Sequence, residues 1–85
     1  MYYTYIIQSQ KSDKFYIGSC HDIDKRIERH NAGATPSTKS GRPWKLVYSE
    51  KYQTNSQALK REREIKSKKS RKYIDYLIEN IKPSS

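Results

Sequence analysis

A tyrosine, an arginine and a histidine stand in the first third of the chain in an order that suits anion binding. Tyr16 lies in the aromatic and β-branched segment Phe15–Ser19, which is typical of a strand. Asp22 can cap a following helix by accepting hydrogen bonds from its first free amides. Arg26 and His30 are one turn apart on that helix and share a face. This layout could hold an anion, although many ordinary strand–turn–helix segments share it.

A second tyrosine joins this group if the first two strands pair in one particular register. Segments 2–9 and 15–19 alternate as strands do, and the polar stretch 10–14 between them predicts a hairpin connection. If Ser9 pairs with Lys14, Tyr5 faces Gly18 and lies on the same side of the sheet as Tyr16. A slip of one residue would put the two rings on opposite faces.

A glutamate interrupts the apolar face of a later helix. At about 100° per residue, Ala58, Leu59 and Ile65 form one arc, and Glu62 lies inside it. A carboxylate in a core-facing stripe costs free energy unless it is paired or ligates a cation. An ion pair with Lys66, four residues on, and a cation site are both compatible with this spacing.

The charge balance points to a polyanionic partner. The 85 residues include 18 Lys and Arg against 9 Asp and Glu, which gives a net charge of +9. Nucleic acid is the first candidate partner. A membrane surface fits less well, because no helix combines a broad apolar face with a purely basic one. The plain alternative is a solvated basic protein without a dedicated ligand.

Several classes of protein are disfavoured by the remaining composition. Cys20 is the only cysteine, so no intramolecular disulfide can form. With only two histidines, the chain is also poor in zinc ligands. The N-terminal segment has neither a basic leader nor a long apolar stretch. We therefore expect a cytoplasmic protein that does not enter a membrane.

The rest of the chain predicts one small α+β domain. Segment 34–43 is expected to be a loop, with Lys39 and Arg42 as its only charges. Segment 44–52 is expected to be a strand with Trp44, Leu46 and Tyr48 on one face. Two more helices are predicted to open at a Thr54 capping box and near Ser70, and Pro83 would end the second. We predict a single domain over residues 1–82 and a tail over 83–85.

Taken in order, these residues resemble the GIY-YIG nuclease superfamily, and most closely its small single-domain bacterial members, the uncharacterised family of the YhbQ and YazA proteins. The second motif is Tyr16-Ile17-Gly18, whereas the first is Tyr3-Thr4-Tyr5 and keeps only the final tyrosine. Arg26 followed by His30 matches the helix motif, and Glu62 matches the family glutamate. The resemblance covers nearly the whole chain up to about Leu77.

The resemblance implies a fold, an activity and a metal. The fold would be a three-stranded antiparallel sheet flanked by about three helices. The activity would be hydrolysis of phosphodiester bonds in DNA, with structured or damaged DNA among the candidate substrates, assisted by one Mg²⁺ or Mn²⁺ ion.

The resemblance also assigns roles to the matching residues. Tyr5 would be the general base or position the water, helped by His30, while Tyr16 would orient the phosphate. Arg26 would stabilise the phosphate charge and lower the pKa of Tyr5, since a free tyrosine has a pKa of about 10. Glu62 would bind the metal. From the charge pattern, Lys39, Arg42 and Lys66 are candidate contacts to the phosphate backbone.

Each role has a structural alternative, and the function has two. The tyrosines could be ordinary sheet residues, Arg26 could pair with Asp22 or Glu28, and His30 could be a polar helix end. The domain could bind nucleic acid without cleaving it, or could be a basic interaction protein of ribosomal type. Metal-dependent cleavage that requires Arg26 and Glu62 would separate the nuclease from both alternatives.

Overall fold

The computed structural model describes residues 1–80, which form a three-stranded antiparallel sheet with helices on both faces. The elements are β1 Tyr2–Ser9, β2 Phe15–Cys20, α1 Ile23–Asn31, a 3₁₀ helix Pro36–Gly41, β3 Trp44–Tyr52, α2 Asn55–Lys68 and α3 Arg71–Glu79. The strand order is β2-β1-β3. The predicted fold class is confirmed. The predicted tail 83–85 lies outside the described residues. Within residues 1–80, no helix is long and apolar enough to cross a membrane.

The hairpin has the register that the site requires. Tyr5 pairs with Gly18 and Ile7 pairs with Tyr16. The connection closes where the amide of Ser9 donates to the carbonyl of Lys14 at 2.8 Å. Because side chains alternate along a strand, Tyr5 and Tyr16 lie on the same face of the sheet. Of the two registers considered from the sequence, the structure therefore has the one that places both rings together.

The two faces of the sheet carry different helices. On the first, here the α1 face, Tyr5, Ile7, Cys20 and Trp44 form a buried cluster, against which Ile23 and Ile27 of α1 pack. On the second, here the α2 face, the buried cluster is Ile6, Ile65, Ile74 and Leu77. The buried hydroxyl of Thr4 also ties α2 to this face, by donating to the carbonyl of Ala58 at 2.7 Å.

A β-bulge changes which side chains of β3 share a face. Ile6 pairs with Tyr48 whereas Ile7 pairs with Leu46, so Val47 is the extra residue. The prediction that Trp44, Leu46 and Tyr48 share one face is therefore wrong for Tyr48, which packs in the cluster of the α2 face.

The segment that connects α1 to β3 is more ordered than a loop. A 3₁₀ helix occupies Pro36–Gly41, so the prediction of a loop is wrong there. Proline suits the first turn of a helix because its missing N–H would have no partner there. From outside the segment, the indole N–H of Trp44 donates to the carbonyl of Thr38 at 2.7 Å. Thr38 is fully buried as a result of this and its side-chain contacts.

The three α-helices begin at their predicted capping residues. The side chain of Asp22 accepts from the amide of Lys25, and that of Ser70 accepts from the amide of Tyr73. Thr54 and Gln57 form the predicted capping box. These caps fix where α1 and α2 start, and hence where Arg26, His30 and Glu62 lie.

Candidate functional site

A buried hydrogen bond joins the tyrosine of β1 to the histidine of α1. The hydroxyl of Tyr5 lies 2.9 Å from Nε2 of His30. Each of the two residues is only 1% exposed. The ring of Tyr5 lies over Gly18, where an added Cβ would be 2.5 Å from the Tyr5 hydroxyl. Glycine is therefore the residue that leaves room for the phenol beside the histidine.

The other ring nitrogen of His30 contacts the 3₁₀ helix. Nδ1 lies 2.7 Å from the hydroxyl oxygen of Thr38, which in turn lies 3.3 Å from the carbonyl oxygen of Thr35. Both nitrogens of the imidazole therefore have buried partners on different elements. His30 belongs to the interior of the domain rather than to an exposed helix end.

Tyr16 lies against the same histidine but keeps its hydroxyl available. Its ring centroid is 5.1 Å from that of His30 and 6.4 Å from that of Trp44, and both contacts are edge-to-face. Within residues 1–80 its hydroxyl makes no hydrogen bond. Tyr16 is half-buried and lines a surface hollow, so its hydroxyl can meet a ligand.

Arg26 brings a positive charge to this group. Its Nη1 donates to the carbonyl of Ser19 at 3.3 Å, and its guanidinium lies beside the Tyr5 hydroxyl. Among the described residues it forms no ion pair, so neither Asp22 nor Glu28 neutralises it. A guanidinium has five N–H donors, and most of those of Arg26 remain for an anion.

Burial, more than charge, sets the protonation of the Tyr5–His30 pair. It raises the pKa of Tyr5 to about 12, although the Arg26 guanidinium opposes the shift. It also lowers the pKa of His30, an effect that Arg26 and Arg29 reinforce. At neutral pH the pair is thus a neutral phenol and a neutral imidazole. Arg26 acts in the expected direction, but the expected net lowering of the Tyr5 pKa does not occur because desolvation is the larger effect.

The structure does not join Glu62 to this group by any hydrogen bond or ion pair within residues 1–80. Its Oε2 accepts from Lys66 at 2.6 Å, which is the local pairing that the helical spacing allows. Helix α2, which carries both residues, packs on the opposite face from Tyr5. Strand β2 lies at the edge of the sheet and connects the two groups. It contacts α2, which carries Glu62, and its Ser19 carbonyl accepts from Arg26.

Glu62 supplies a single carboxylate, which limits the kind of metal ion that it could hold. The Glu62 side chain is 17% exposed, and its Oε1 has no partner among residues 1–80. In that part of the chain, no three or more His, Cys, Asp or Glu side chains lie close enough together to hold a metal ion. Mg²⁺ retains most of its waters and often uses one or two carboxylates. Glu62 is therefore compatible with a single ion and not with an all-protein cage.

Two hollows that share Lys11 and Ser40 collect basic side chains, and Tyr16 lines the second of them. The first, about 410 Å³, is lined by Lys11, Asn31, Lys39, Ser40, Arg42 and Pro43. The second, also about 410 Å³, includes Lys11, Lys14, Tyr16 and Ser40 in its wall. The structure thus brings Lys39 and Arg42 together but leaves Lys66 with Glu62.

Lys11 and Lys14 are additions to the candidate residues from the sequence. For the segment that carries them, the sequence predicts only a hairpin connection. In the sequence they are visible as two positive charges in a short segment that precedes Tyr16. They become candidates for phosphate contacts only because the hairpin lies next to the 3₁₀ helix. The two lysines extend the positive surface from Arg42 to the tyrosine.

Comparison with known proteins agrees with this geometry. Residues 1–74 match the family described as the GIY-YIG catalytic domain. The chain is 43% identical over 79 residues to UPF0213 protein SSP2268 of Staphylococcus saprophyticus, covering 92% of this chain and 95% of that protein. It is also 43% identical over 67 residues to a UPF0213 protein of Staphylococcus aureus strain Mu3, covering 78% and 80%.

A solved structure extends the comparison to the fold. The solution NMR structure of the UPF0213 protein BH0048 from Bacillus halodurans superimposes with a TM-score of 0.61 at 28% identity, covering 99% of this chain and 89% of that one. The GIY-YIG domain defines a nuclease superfamily whose members generally depend on a divalent metal. The predicted resemblance is thereby confirmed: the chain belongs to the GIY-YIG domain family, among its small bacterial UPF0213 proteins.

Proposed function

We propose that this protein is a divalent-metal-dependent endonuclease that hydrolyses phosphodiester bonds in DNA. The observation that supports this most strongly is the buried hydrogen bond between Tyr5 and His30, at 2.9 Å. It lies beside Arg26, which has no carboxylate partner within residues 1–80. Hydrolysis of an anionic ester requires a group that accepts the proton of the attacking water and a positive charge that stabilises the phosphate oxygens. The Tyr5–His30 pair and Arg26 could supply these. Bacterial DNA lies in the cytoplasm, so the proposal includes a cytoplasmic location.

The protonation of the pair favours a relay over a phenolate base. A phenol whose pKa is about 12 does not take a proton from water unless it releases its own. As the water attacks phosphorus, its proton would pass to the Tyr5 oxygen while the Tyr5 proton passes to Nε2 of His30. The imidazole ends protonated, and the P–O bond to the leaving oxygen breaks.

Two other side chains would hold the phosphate. Arg26 would donate to its non-bridging oxygens and stabilise the negative charge that grows during attack. Tyr16 would orient the same group through its hydroxyl. Lys11, Lys14, Lys39 and Arg42 would bind phosphates next to the scissile one, and these contacts carry no base sequence information.

Glu62 would hold the metal, with waters filling the other positions. A bound Mg²⁺ or Mn²⁺ ion supplies positive charge to the phosphate and to the leaving oxygen. The Glu62–Lys66 ion pair must open, or Oε1 alone must ligate the ion. A substrate that touches both Glu62 and Arg26 must reach across the edge of the sheet at β2.

The first experiment is a cleavage assay on duplex, single-stranded and branched DNA, with and without Mg²⁺. We expect metal-dependent cleavage that Tyr5→Phe lowers about 10²-fold to 10⁴-fold, because the phenol loses the proton it relays. Tyr3→Phe, two residues away on the same strand, is the matched control and should cleave normally.

A second pair of variants tests the metal site. Glu62→Gln should abolish the response to Mg²⁺, whereas Glu64→Gln, on the same helix but paired with Arg61, should retain it. Equal residual cleavage in Tyr5→Phe, Glu62→Gln and the wild type would mean that a contaminating nuclease is responsible, and the proposal would be rejected.

Two observations favour a second candidate, a nucleic-acid-binding module without turnover. Lys66 occupies an oxygen of Glu62, and Tyr5 is almost fully covered. This candidate predicts binding that weakens steeply with salt, because Lys and Arg contacts release counterions, and no strand scission under any metal condition. Metal-dependent cleavage that requires Tyr5 would exclude it.

A further inference from the structure

Thr38 closes a buried row of hydrogen-bonding groups that begins at Tyr5. The successive distances are 2.9 Å from the Tyr5 hydroxyl to Nε2 of His30, 2.7 Å from Nδ1 to the Thr38 hydroxyl, and 3.3 Å from that hydroxyl to the carbonyl of Thr35. Thr38 is 0% exposed, and Tyr5 and His30 are each 1% exposed. With so little access to solvent, these groups must satisfy one another.

Only one direction of the hydrogen bonds satisfies every group in the row. In this direction the Thr38 hydroxyl donates to the carbonyl of Thr35 at 3.3 Å, and the same carbonyl also accepts from the Thr38 amide at 3.1 Å. The Thr38 oxygen must then accept from Nδ1–H of His30. A neutral imidazole has one N–H, so Nε2 carries a lone pair and accepts from the Tyr5 hydroxyl.

The opposite direction leaves a donor without an acceptor. If Thr38 donated to Nδ1, Nε2 of His30 would carry the proton and donate to Tyr5. The Tyr5 O–H would then have no acceptor within residues 1–80, since its other polar neighbour, Arg26, has only donors. An unpaired buried hydroxyl is costly, so this arrangement is disfavoured.

We infer that Thr38 is a positioning residue that holds His30 as its Nδ1–H tautomer and thereby presents the Nε2 lone pair to Tyr5. The 3₁₀ helix brings this hydroxyl to the imidazole, and the Trp44 indole fixes it by donating to the Thr38 carbonyl. The catalytic consequence rests on the proposed function: only Nε2 without a proton can take one from Tyr5. The tautomer itself does not depend on that function.

The direct test is NMR of the full chain with ¹⁵N-labelled histidine at neutral pH. Long-range ¹H–¹⁵N correlations identify the ring nitrogen that carries the proton. We expect Nδ1 to be protonated in the wild type and in Thr38→Ser, and Thr38→Val to shift the population towards Nε2–H. A wild-type Nε2–H tautomer overturns the inference, as does an unchanged Nδ1–H tautomer in Thr38→Val.

A matched variant separates positioning from general damage to the fold. Thr4→Val removes another fully buried threonine hydroxyl, which donates to Ala58 on the opposite face. It should lower stability without changing the His30 tautomer. If Thr4→Val shifts the tautomer as much as Thr38→Val does, Thr38 has no specific role.

Cleavage kinetics then measure how the His30 tautomer affects the proposed activity. We expect Thr38→Val to lower kcat about 100-fold with little change in KM, and Thr38→Ser to restore kcat to within about threefold. A wild-type kcat in Thr38→Val, with its tautomer shifted, overturns the catalytic consequence. If no DNA is cleaved by the wild type, the proposed function fails while the NMR result still decides the role of Thr38.

Discussion

The two faces of the sheet both bury polar groups, but they neutralise them differently. On the α2 face, Arg61 binds both carboxylate oxygens of Glu50, at 2.9 and 3.1 Å, and its Nη1 donates to Glu64 at 2.7 Å. The hydroxyls of Tyr48 and Tyr52 also donate to Glu50. On the α1 face, the buried groups are neutral and the nearby arginine has no carboxylate partner within residues 1–80.

The contrast shows which arginine can serve a ligand. Every nitrogen of Arg61 already donates to a carboxylate, so a phosphate would have to displace Glu50 or Glu64. Arg26 has only the carbonyl of Ser19 to lose. Tyrosines lie near an arginine on both faces, and the absence of a carboxylate partner within residues 1–80 is what makes Arg26 the candidate for binding an anion.

The largest expected effect comes from removing the unpaired charge. Arg26→Met should lower DNA cleavage by about 10³-fold, or about 4 kcal/mol of transition-state stabilisation. The same substitution should change the free energy of unfolding by less than about 1 kcal/mol, because it removes only the hydrogen bond from Arg26 to the Ser19 carbonyl. Cleavage kinetics and urea denaturation of the same sample measure both. A stability loss as large as the kinetic one would remove the distinction between the faces.

The matched change on the other face should have the reverse profile. Arg61→Met leaves the Glu50 carboxylate in a largely covered site without its cation. We expect a loss of about 2–3 kcal/mol in the free energy of unfolding, below the range for fully buried pairs because both side chains are 18% exposed. Folded Arg61→Met should cleave DNA at nearly the wild-type rate. A large loss of cleavage in the folded variant would show that the α2 network belongs to the site.

Gly18→Ala tests how tightly the α1 face is packed around Tyr5 and His30. The new methyl would lie 2.5 Å from the Tyr5 hydroxyl and 2.7 Å from its ring carbon Cζ. We expect a loss of about 1–2 kcal/mol in stability from overpacking, together with a fall in kcat as the phenol moves from His30. In a Tyr5→Leu background the same change should cost less stability. Equal costs in both backgrounds would show that Tyr5 is not what excludes the side chain.

Local patterns predicted most of the fold. The sequence predicts the hairpin from strand alternation and a short polar connection but leaves its register open, and it predicts the three caps at Asp22, Thr54 and Ser70. The pairing of Glu62 with Lys66 was one of two alternatives, because residues four apart on a helix always lie within reach. The sequence also carried the family motifs that identify Tyr5, Tyr16, Arg26 and His30 as a set.

Features that depend on distant contacts were beyond the sequence. The bulge at Val47 exists only in the pairing of β3 with β1, and it moves Tyr48 to the other face. The 3₁₀ helix depends on Thr38 meeting His30 and Trp44. The pKa of Tyr5 depends on how completely the phenol is covered, which no spacing reveals. The proton relay that we propose depends on the 3₁₀ helix and on the burial of Tyr5.

The smallest expected effects are the pH dependences of stability, which should differ between the faces. Burial lowers the pKa of His30 below 6.5, so the unfolded chain binds a proton more readily than the folded one. His30 therefore contributes stability that is present above pH 6.5 and is lost as pH falls through the folded pKa. Burial raises the pKa of Glu50, but hydrogen bonds from Arg61, Tyr48 and Tyr52 outweigh it and hold the pKa below 4.5. The contribution of Glu50 is thus present above pH 4.5 and is lost only at more acidic pH.

Two substitutions should separate these windows in urea denaturation measured from about pH 8 to about pH 3. His30→Gln should flatten the decline in stability that begins below pH 6.5 and leave the more acidic decline in place, because glutamine does not titrate. Glu50→Gln should flatten the decline below pH 4.5 and leave the one near pH 6 unchanged. If His30→Gln leaves the decline below pH 6.5 intact, the imidazole is not buried in its neutral form. The description of Tyr5 and His30 as a neutral pair, which distinguishes the α1 face, would then be wrong.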